Sequence, residues 1–273
     1  MTVEELPRNI GAAAAAGACQ ISLFNPLDCL RIRWQVSQPA HAASISSFAL
    51  AIIRDEGWWR GLHRPGLLAN VAAVSISQGF RMGLYPFVRD ALQPRGAARP
   101  ELMLLSGVIS GSIAYTLAAP LYLVKVRSQA DVQLKRPFEW PASVRALWVG
   151  STPLVLRGAL LTAGQMAGYD GVKKLSSRHE LLADGPVLHV VAATIAGVCA
   201  ATFSSPADVI QTRMQSHGSR SIWSTATNIH GSSGMIGFFC GWSANVVRLV
   251  PTFVVGSTIY EQCRVAVGLG FMK

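Results

Sequence analysis

Three copies of one short pattern constrain the fold of this 273-residue chain more than any other feature. A glycine, a proline and a glutamine recur nine positions apart, as Gly17, Pro26 and Gln35, as Gly111, Pro120 and Gln129, and as Gly197, Pro206 and Gln215. Such self-similarity is the sequence signature of a repeat architecture. We therefore predict three tandem repeats, residues 8–92, 100–176 and 186–266, that form one structural domain overall.

Each repeat contains one long and one shorter apolar segment. The long segments, 10–27, 102–124 and 186–207, lack Asp, Glu, Lys and Arg and have about the 20 residues that a helix needs to cross a bilayer. The shorter segments, 69–80, 158–169 and 249–260, have charged residues at their ends, as is typical of helices that line a polar cavity. We predict an all-α membrane protein with six transmembrane helices, arranged as three tandem two-helix repeats.

The overall composition agrees with a membrane protein that handles an anion. The chain is 51% apolar and only 14% charged, and its formal net charge is +10. An excess of positive charge suits nucleic acid, an anionic lipid surface or a negatively charged solute. The basic residues are dispersed rather than gathered into a stripe with aromatic residues, which argues against nucleic acid.

The sequence shows no sign of an enzyme, a metal site or a cofactor. It contains no phosphate-binding glycine loop, no zinc-protease motif and no nucleophile with a base, and the six histidines are scattered. The five cysteines include no C-x-x-C pair, so neither a zinc site nor a disulfide framework is indicated. We expect residues 1–9 to be too short and too acidic for a cleavable leader.

The residues after each proline carry a more specific pattern. They read Pro26-Leu-Asp28-Cys-Leu-Arg31-Ile-Arg33, Pro120-Leu-Tyr122-Leu-Val-Lys125-Val-Arg127 and Pro206-Ala-Asp208-Val-Ile-Gln211-Thr-Arg213. The pattern resembles the thrice-repeated signature of the mitochondrial carrier family, in which a helix-kinking proline precedes an acid and two bases. The resemblance covers roughly residues 8–266. It implies pseudo-threefold symmetry around a central cavity, short connector helices on the matrix side, and a multi-pass protein of the mitochondrial inner membrane.

The resemblance also implies a gate on the matrix side. In the family, the acid of one repeat pairs with the base of the next in a cyclic ring. By this rule Asp28 would pair with Lys125, and Asp208 with Arg31. The alternative is that these are unrelated charges at helix ends that reach out to the membrane interface.

Two residues depart from the family's ring. Tyr122 stands where the second repeat should have an acid, and Gln211 stands where the third should have a base. Both departures belong to the same link, so neither leaves one charge buried without its partner. We expect a neutral contact between Tyr122 and Gln211.

A second set of charges at the ends of the shorter segments resembles the family's gate on the cytoplasmic side. Asp170 precedes Lys173 by three residues, and Glu261 precedes Arg264 by three, whereas the first repeat has only Arg89. The resemblance implies pairs of Asp170 with Arg264 and of Glu261 with Arg89, and leaves Lys173 without a carboxylate. The alternative is that these residues are the solvated ends of amphipathic helices.

The connector within each repeat ends in the family at a conserved glycine. We identify these glycines as Gly66, Gly150 and Gly241, which lie 40, 30 and 35 residues after the kinking prolines. The shortened second connector argues against a surface helix, and against the family's anionic-lipid contact, in that repeat.

Seven residues after these glycines lie the positions at which the family contacts its solute. Here they are Ala73, Arg157 and Arg248, to which Arg81 and Gln20 add further cavity positions. An arginine at mid-membrane depth costs about 3 kcal/mol on insertion scales unless it faces water or a ligand. Arginine also matches carboxylate or sulfate oxygens in a bidentate way. These residues therefore indicate a site for a small anionic solute.

Within the family, the Tyr122 segment, Gln211 and the motif Phe80-Arg81-Met-Gly83-Leu-Tyr85 are most similar to the branch that moves oxaloacetate, sulfate, thiosulfate and related dicarboxylates. Arg81 and the cavity arginines also fit uncoupling proteins, which move protons or anions. We predict a secondary transporter that works by alternating access, functions as a monomer and contacts membrane lipid, namely cardiolipin. A carrier-like scaffold or receptor that has lost transport is a second class of hypothesis.

Overall fold

The computed structural model describes residues 5–37, 44–92, 100–141, 143–179, 186–218 and 221–268, and no strand occurs within these ranges. Eight α-helices are present in the described part of the chain. They are α1 (Glu5–Ser37), α2 (Ile45–Glu56), α3 (Leu67–Leu92), α4 (Pro100–Leu134), α5 (Ser151–His179), α6 (Pro186–His217), α7 (Ile222–Ser233) and α8 (Trp242–Ala266). The all-helical architecture predicted from the apolar segments is confirmed.

Within the described ranges, five segments are long and apolar enough to cross a membrane, and they belong to α1, α4, α5, α6 and α8. The sixth long helix, α3, has 26 residues and is not among these five; it carries the polar residues Asn70, Gln78, Arg81 and Arg89. It packs between α1 and α4. A cavity-lining helix keeps such polar groups away from lipid, so α3 completes a set of six spanning helices.

The six long helices form a closed ring. Each helix contacts its two neighbours in the order α1, α3, α4, α5, α6, α8, and α8 contacts α1. In addition, α1, α4 and α6 contact one another. Pro26, Pro120 and Pro206 lie inside α1, α4 and α6, where a proline removes a backbone hydrogen bond and bends the helix. The segments after these prolines converge at one end of the ring, which we call the gate end.

Small residues allow close approach between repeats. At Gly164 of α5, an added methyl carbon would lie 2.8 Å from the carbonyl oxygen of Cys199 and 2.9 Å from the Cα of Ala200 on α6. Backbones that pack this tightly gain dispersion contacts in a membrane, where the hydrophobic effect does not drive helix association.

The connectors differ between repeats. Repeats 1 and 3 contain the short helices α2 and α7, whereas residues 136–141 of repeat 2 have no regular structure and lead to a short 3₁₀ turn at Val144–Trp148. The structure therefore has the predicted matrix-side helices in two repeats, and the short second connector leaves no room for a third. In repeat 1 the five residues Trp59–His63 form a π-helical turn.

In each repeat, one glycine at the end of the connector packs against the next repeat. Gly66, Gly150 and Gly241 have φ angles of +63°, +78° and +80°, a region that favours glycine. A methyl carbon added at these positions would lie 3.1 Å from Gln129, 2.8 Å from Gln215 and 3.0 Å from Gln35, respectively. The glutamines of the sequence repeat are therefore the residues that brace each connector, in the cyclic order of repeats 1, 2, 3 and 1.

Candidate functional site

Buried ion pairs occupy the gate end. Lys125 of α4 pairs with Asp28 of α1, and the Arg31 Nη1 atom of α1 donates to both carboxylate oxygens of Asp208 on α6 at 2.5 Å. All four side chains are at most 5% exposed. They come together because each lies two or five residues after a kinking proline, on the helix face that points into the ring. Two of the three links in the ring are thus ion pairs.

The third link is not formed. The Tyr122 hydroxyl lies 3.0 Å from the Ser77 hydroxyl on α3, and the Gln211 amide donates to Gln215 on its own helix at 3.0 Å. The expected hydrogen bond between Tyr122 and Gln211 is therefore not formed, because each side chain is hydrogen-bonded to another residue instead. Near this point α4 and α6 are joined instead by Arg127, whose Nε atom donates to the Gln215 carbonyl at 3.2 Å.

Arg157 and Arg248 lie next to the ion pairs. The Arg157 Nη1 atom is 3.4 Å from Asp208 Oδ1, and the Arg248 Nε atom is 3.6 Å from Asp28 Oδ1. These contacts are longer than the contact between Arg31 and Asp208, and the buried Nε atoms of both arginines have no hydrogen-bond partner. The two arginines are therefore only partly satisfied by the gate carboxylates.

The charges at this end do not balance. Four cations, Arg31, Lys125, Arg157 and Arg248, share the two carboxylates of Asp28 and Asp208, which leaves an excess of two positive charges. Burying unpaired charge is costly, and a bound anion relieves that cost.

A cavity opens directly above these arginines and contains about 640 Å³ of empty space, including its open part. Arg81, Arg157 and Arg248 are the charged residues among those that line it, and no acidic side chain is among them. The polar remainder includes Gln20, Ser77, Gln78, Tyr115, Tyr122 and Thr252. Four of the five predicted solute-site residues, namely Arg157, Arg248, Arg81 and Gln20, thus lie on one cavity.

Ala73, the fifth predicted residue, does not line the cavity. Its side chain is fully buried and packs with Tyr115, Tyr122 and Leu154. Two members of this cluster, Tyr115 and Tyr122, line the cavity, whereas Ala73 is not among the described lining residues. Arg81, by contrast, makes no hydrogen bond or ion pair with any residue that the structure describes.

The opposite end of the ring is described only in part. The side chains of Asp170, Lys173 and Glu261 lie outside the described residues. Arg89 pairs with its neighbour Asp90 at 2.8 Å, and Arg264 donates to the Asn9 side-chain oxygen at 3.0 Å. The predicted ion pairs of this second gate therefore stay predictions.

Sequence reasoning missed Asn70, which supports the gate from α3. Its amide donates to Asn25 at 2.7 Å and to Asp28 at 3.0 Å. A signal was available, because Asn70 and Asn245 both lie four residues after a connector glycine, and Asn245 accepts a hydrogen bond from Arg248 at 3.0 Å.

The missing third link can be tested by building it. By the threefold symmetry, Asp at position 122 should reach Lys at position 211 as Asp28 reaches Lys125. We expect Gln211→Lys alone to lower thermal stability, since it raises the positive excess to three, and Tyr122→Asp to restore stability when added to it. A double-mutant cycle should show a coupling of about 0.5–3 kcal/mol. Additive effects on the unfolding temperature would show that the two positions do not meet.

The sequence is similar to known proteins over most of its length. Residues 3–96 and 183–269 match the family model described as "Mitochondrial carrier protein". The "Putative mitochondrial transporter UCP3" of Bos taurus is 30% identical over 281 residues, which cover 92% of this chain and 90% of that protein. The "Mitochondrial brown fat uncoupling protein 1" of Canis lupus familiaris is 29% identical over 93% of this chain and 90% of that protein. The "Mitochondrial substrate carrier family protein ucpB" of Dictyostelium discoideum is 28% identical over 95% of each.

Proposed function

This chain belongs to the mitochondrial carrier family, and on that premise we propose that it moves a small, doubly charged anion by alternating access. The family membership makes it a multi-pass transporter of the mitochondrial inner membrane. The relatives named above include an uncoupling protein, and none has the name of an oxaloacetate, sulfate or dicarboxylate carrier. We therefore place this carrier with the uncoupling proteins, and treat those dianions as probes of its site.

One observation carries the proposal. The described cavity wall holds Arg81 and no carboxylate, together with Arg157 and Arg248 of the buried cluster, whose four cations exceed its two carboxylates by two positive charges. A dianion is the ligand that neutralises such a cluster, and guanidinium groups bind its oxygens with strong, directional hydrogen bonds. The solute would lie between Arg157 and Arg248, within reach of their unpartnered Nε groups.

The wall also favours an anion over protons passed along side chains. Proton relays in membranes use Asp, Glu or His, and none of these is among the residues that line the described cavity. The cavity therefore supports movement of a charged solute.

The remaining partners are proposals as well. The cavity is enclosed by the helices of one chain, which supports a functional monomer. For lipid, the exposed Trp58 and Trp223 lie in or beside the connectors of repeats 1 and 3, and tryptophan favours the membrane interface. We infer contact of these connectors with anionic lipid, namely cardiolipin.

Uptake into vesicles tests the proposed function. We expect purified protein in liposomes to give saturable uptake of sulfate, malonate or oxaloacetate. Uptake into empty vesicles is compared with uptake into vesicles that are loaded with the same anion. A pH-sensitive dye inside the vesicles reports any accompanying proton flux. Protein-free vesicles are the control. If none of the three anions enters above that control, with or without internal anion, the anion-carrier proposal fails and the scaffold hypothesis gains.

A further inference from the structure

A glutamine crosses the interface between repeats 1 and 3 beside the cavity. The Gln20 side chain of α1 is 6% exposed; its amide nitrogen donates to the Thr252 carbonyl of α8 at 2.7 Å, and its oxygen accepts from Gln78 of α3 at 2.9 Å. Both ends of the amide are therefore engaged. Gln20 ties α3 and α8 together through α1.

The bond to Thr252 falls on the turn that carries Arg248. Pro251 lies in this turn and lacks the N–H group that would bond the carbonyl four residues earlier. The Thr252 hydroxyl donates to the Arg248 carbonyl at 2.7 Å, so the residue that Gln20 binds is itself fastened to Arg248. Two side-chain hydrogen bonds are thus made to residues of the α8 segment that contains Pro251.

The opposing residue on α8 leaves space for the glutamine. A methyl carbon added to Gly256 would collide with the Gln20 amide nitrogen, so only glycine at 256 lets that amide reach the Thr252 carbonyl. By the sequence repeat, Gly256 stands where repeats 1 and 2 have Arg81 and Gln165.

The other two repeats have different residues at these positions. The counterparts of Gln20 are Ala114 on α4 and Ala200 on α6, both fully buried. The counterparts of Gly256 are the longer residues Arg81 and Gln165. Repeat 1 therefore has the long polar residue at the Gln20 position, and repeat 3 has the small residue at the Gly256 position.

We propose that Gln20 is a positioning residue, which crosses from repeat 1 to repeat 3 and holds the α8 turn so that Arg248 faces the solute. This role rests on the proposed function as an anion carrier. Only one N–H and one oxygen lone pair of the Gln20 amide are bound to protein, and the side chain also lines the cavity. Its predicted contact with the solute therefore stays a prediction.

Three variants separate positioning from packing. Gly256→Ala should force Gln20 aside and lower the unfolding temperature by roughly 5 °C. Gln20→Ala should raise KM for sulfate about five- to tenfold with less change in maximal rate, because it frees the Arg248 turn. In Gln20→Ala/Gly256→Ala the collision is gone, so stability should recover toward that of Gln20→Ala, whereas KM should stay high. Gly11→Ala, which has open space around it, is the matched control.

Each result decides the inference. Additive losses of stability in the double variant, or a harmless Gly256→Ala, would show that the two residues do not meet. Recovery of KM together with stability would reduce Gln20 to a packing role. If the parent protein transports none of the probe anions, the proposed function fails separately, and the coupling in the thermal cycle still decides whether Gln20 and Gly256 form one contact.

Discussion

Replacing Arg157 or Arg248 by alanine should reduce anion uptake roughly 30-fold or more while the protein stays folded. Each change removes a charge-assisted hydrogen-bonding partner of the solute, an interaction of about 1.5–3 kcal/mol, and more where the bond is bidentate. Lysine should restore only part of the activity, because it keeps the charge but loses the planar fork. Uptake of sulfate, malonate and oxaloacetate in vesicles is the measurement.

The fold should tolerate these changes because the gate carboxylates keep other partners. Without Arg157, Asp208 retains Arg31 and the Gln35 amide at 2.8 Å; without Arg248, Asp28 retains Lys125 and Asn70. Each substitution also lowers the positive excess from two to one. We therefore expect an unchanged or slightly raised unfolding temperature. Arg54→Ala, at an exposed arginine of α2, controls for loss of a positive charge. Folded alanine variants with the parental uptake rate would refute the solute site.

Asp28→Asn should have the largest effect on stability. The substitution leaves four buried cations with one carboxylate, and removing one partner of a buried pair costs about 3–5 kcal/mol. For a protein of this size we expect the unfolding temperature to fall by roughly 10 °C. Thermal unfolding in detergent or vesicles is the measurement.

A second substitution makes the charge argument specific. Adding Lys125→Met to Asp28→Asn removes the cation that lost its partner, and should recover much of the stability. The control is Asp90→Asn, since Asp90 is 46% exposed beside Arg89 and exposed pairs contribute about 0–1 kcal/mol. Equal losses for Asp28→Asn and Asp90→Asn would contradict a stabilising role for the buried Asp28 carboxylate among the gate cations.

Several site residues could be found from local patterns alone. The repeated proline places Asp28, Arg31, Lys125 and Asp208 at matching heights and on matching helix faces, and the cyclic rule of the family that the motif resembles predicted their pairing. The arginines at 157 and 248 were detectable because charge within an apolar segment is costly unless it has a function. Both arguments use spacing along one helix, which is written directly in the order of residues.

Other assignments failed where symmetry was the sole guide. Ala73 was placed on the cavity wall as the counterpart of Arg157 and Arg248, yet it is buried with the tyrosine rings of α4 and is not among the described lining residues. Tyr122 and Gln211 were expected to meet because their helices are neighbours, but Ser77 and Gln215 are nearer. A short or neutral side chain is not drawn to a distant partner by charge, so it contacts the nearest residue instead.

What the sequence determined by itself is the architecture: three repeats, six spanning helices, the kinks in α1, α4 and α6, and the shortened second connector. These follow from apolar length, proline and glycine, which act within a few residues of themselves. Only the tertiary structure decided that the cavity arginines share carboxylates with the gate, and that Gln20 bonds to α8 in the space left by Gly256. These contacts depend on the rotation and depth of helices far apart in the chain, and packing among all six helices sets both.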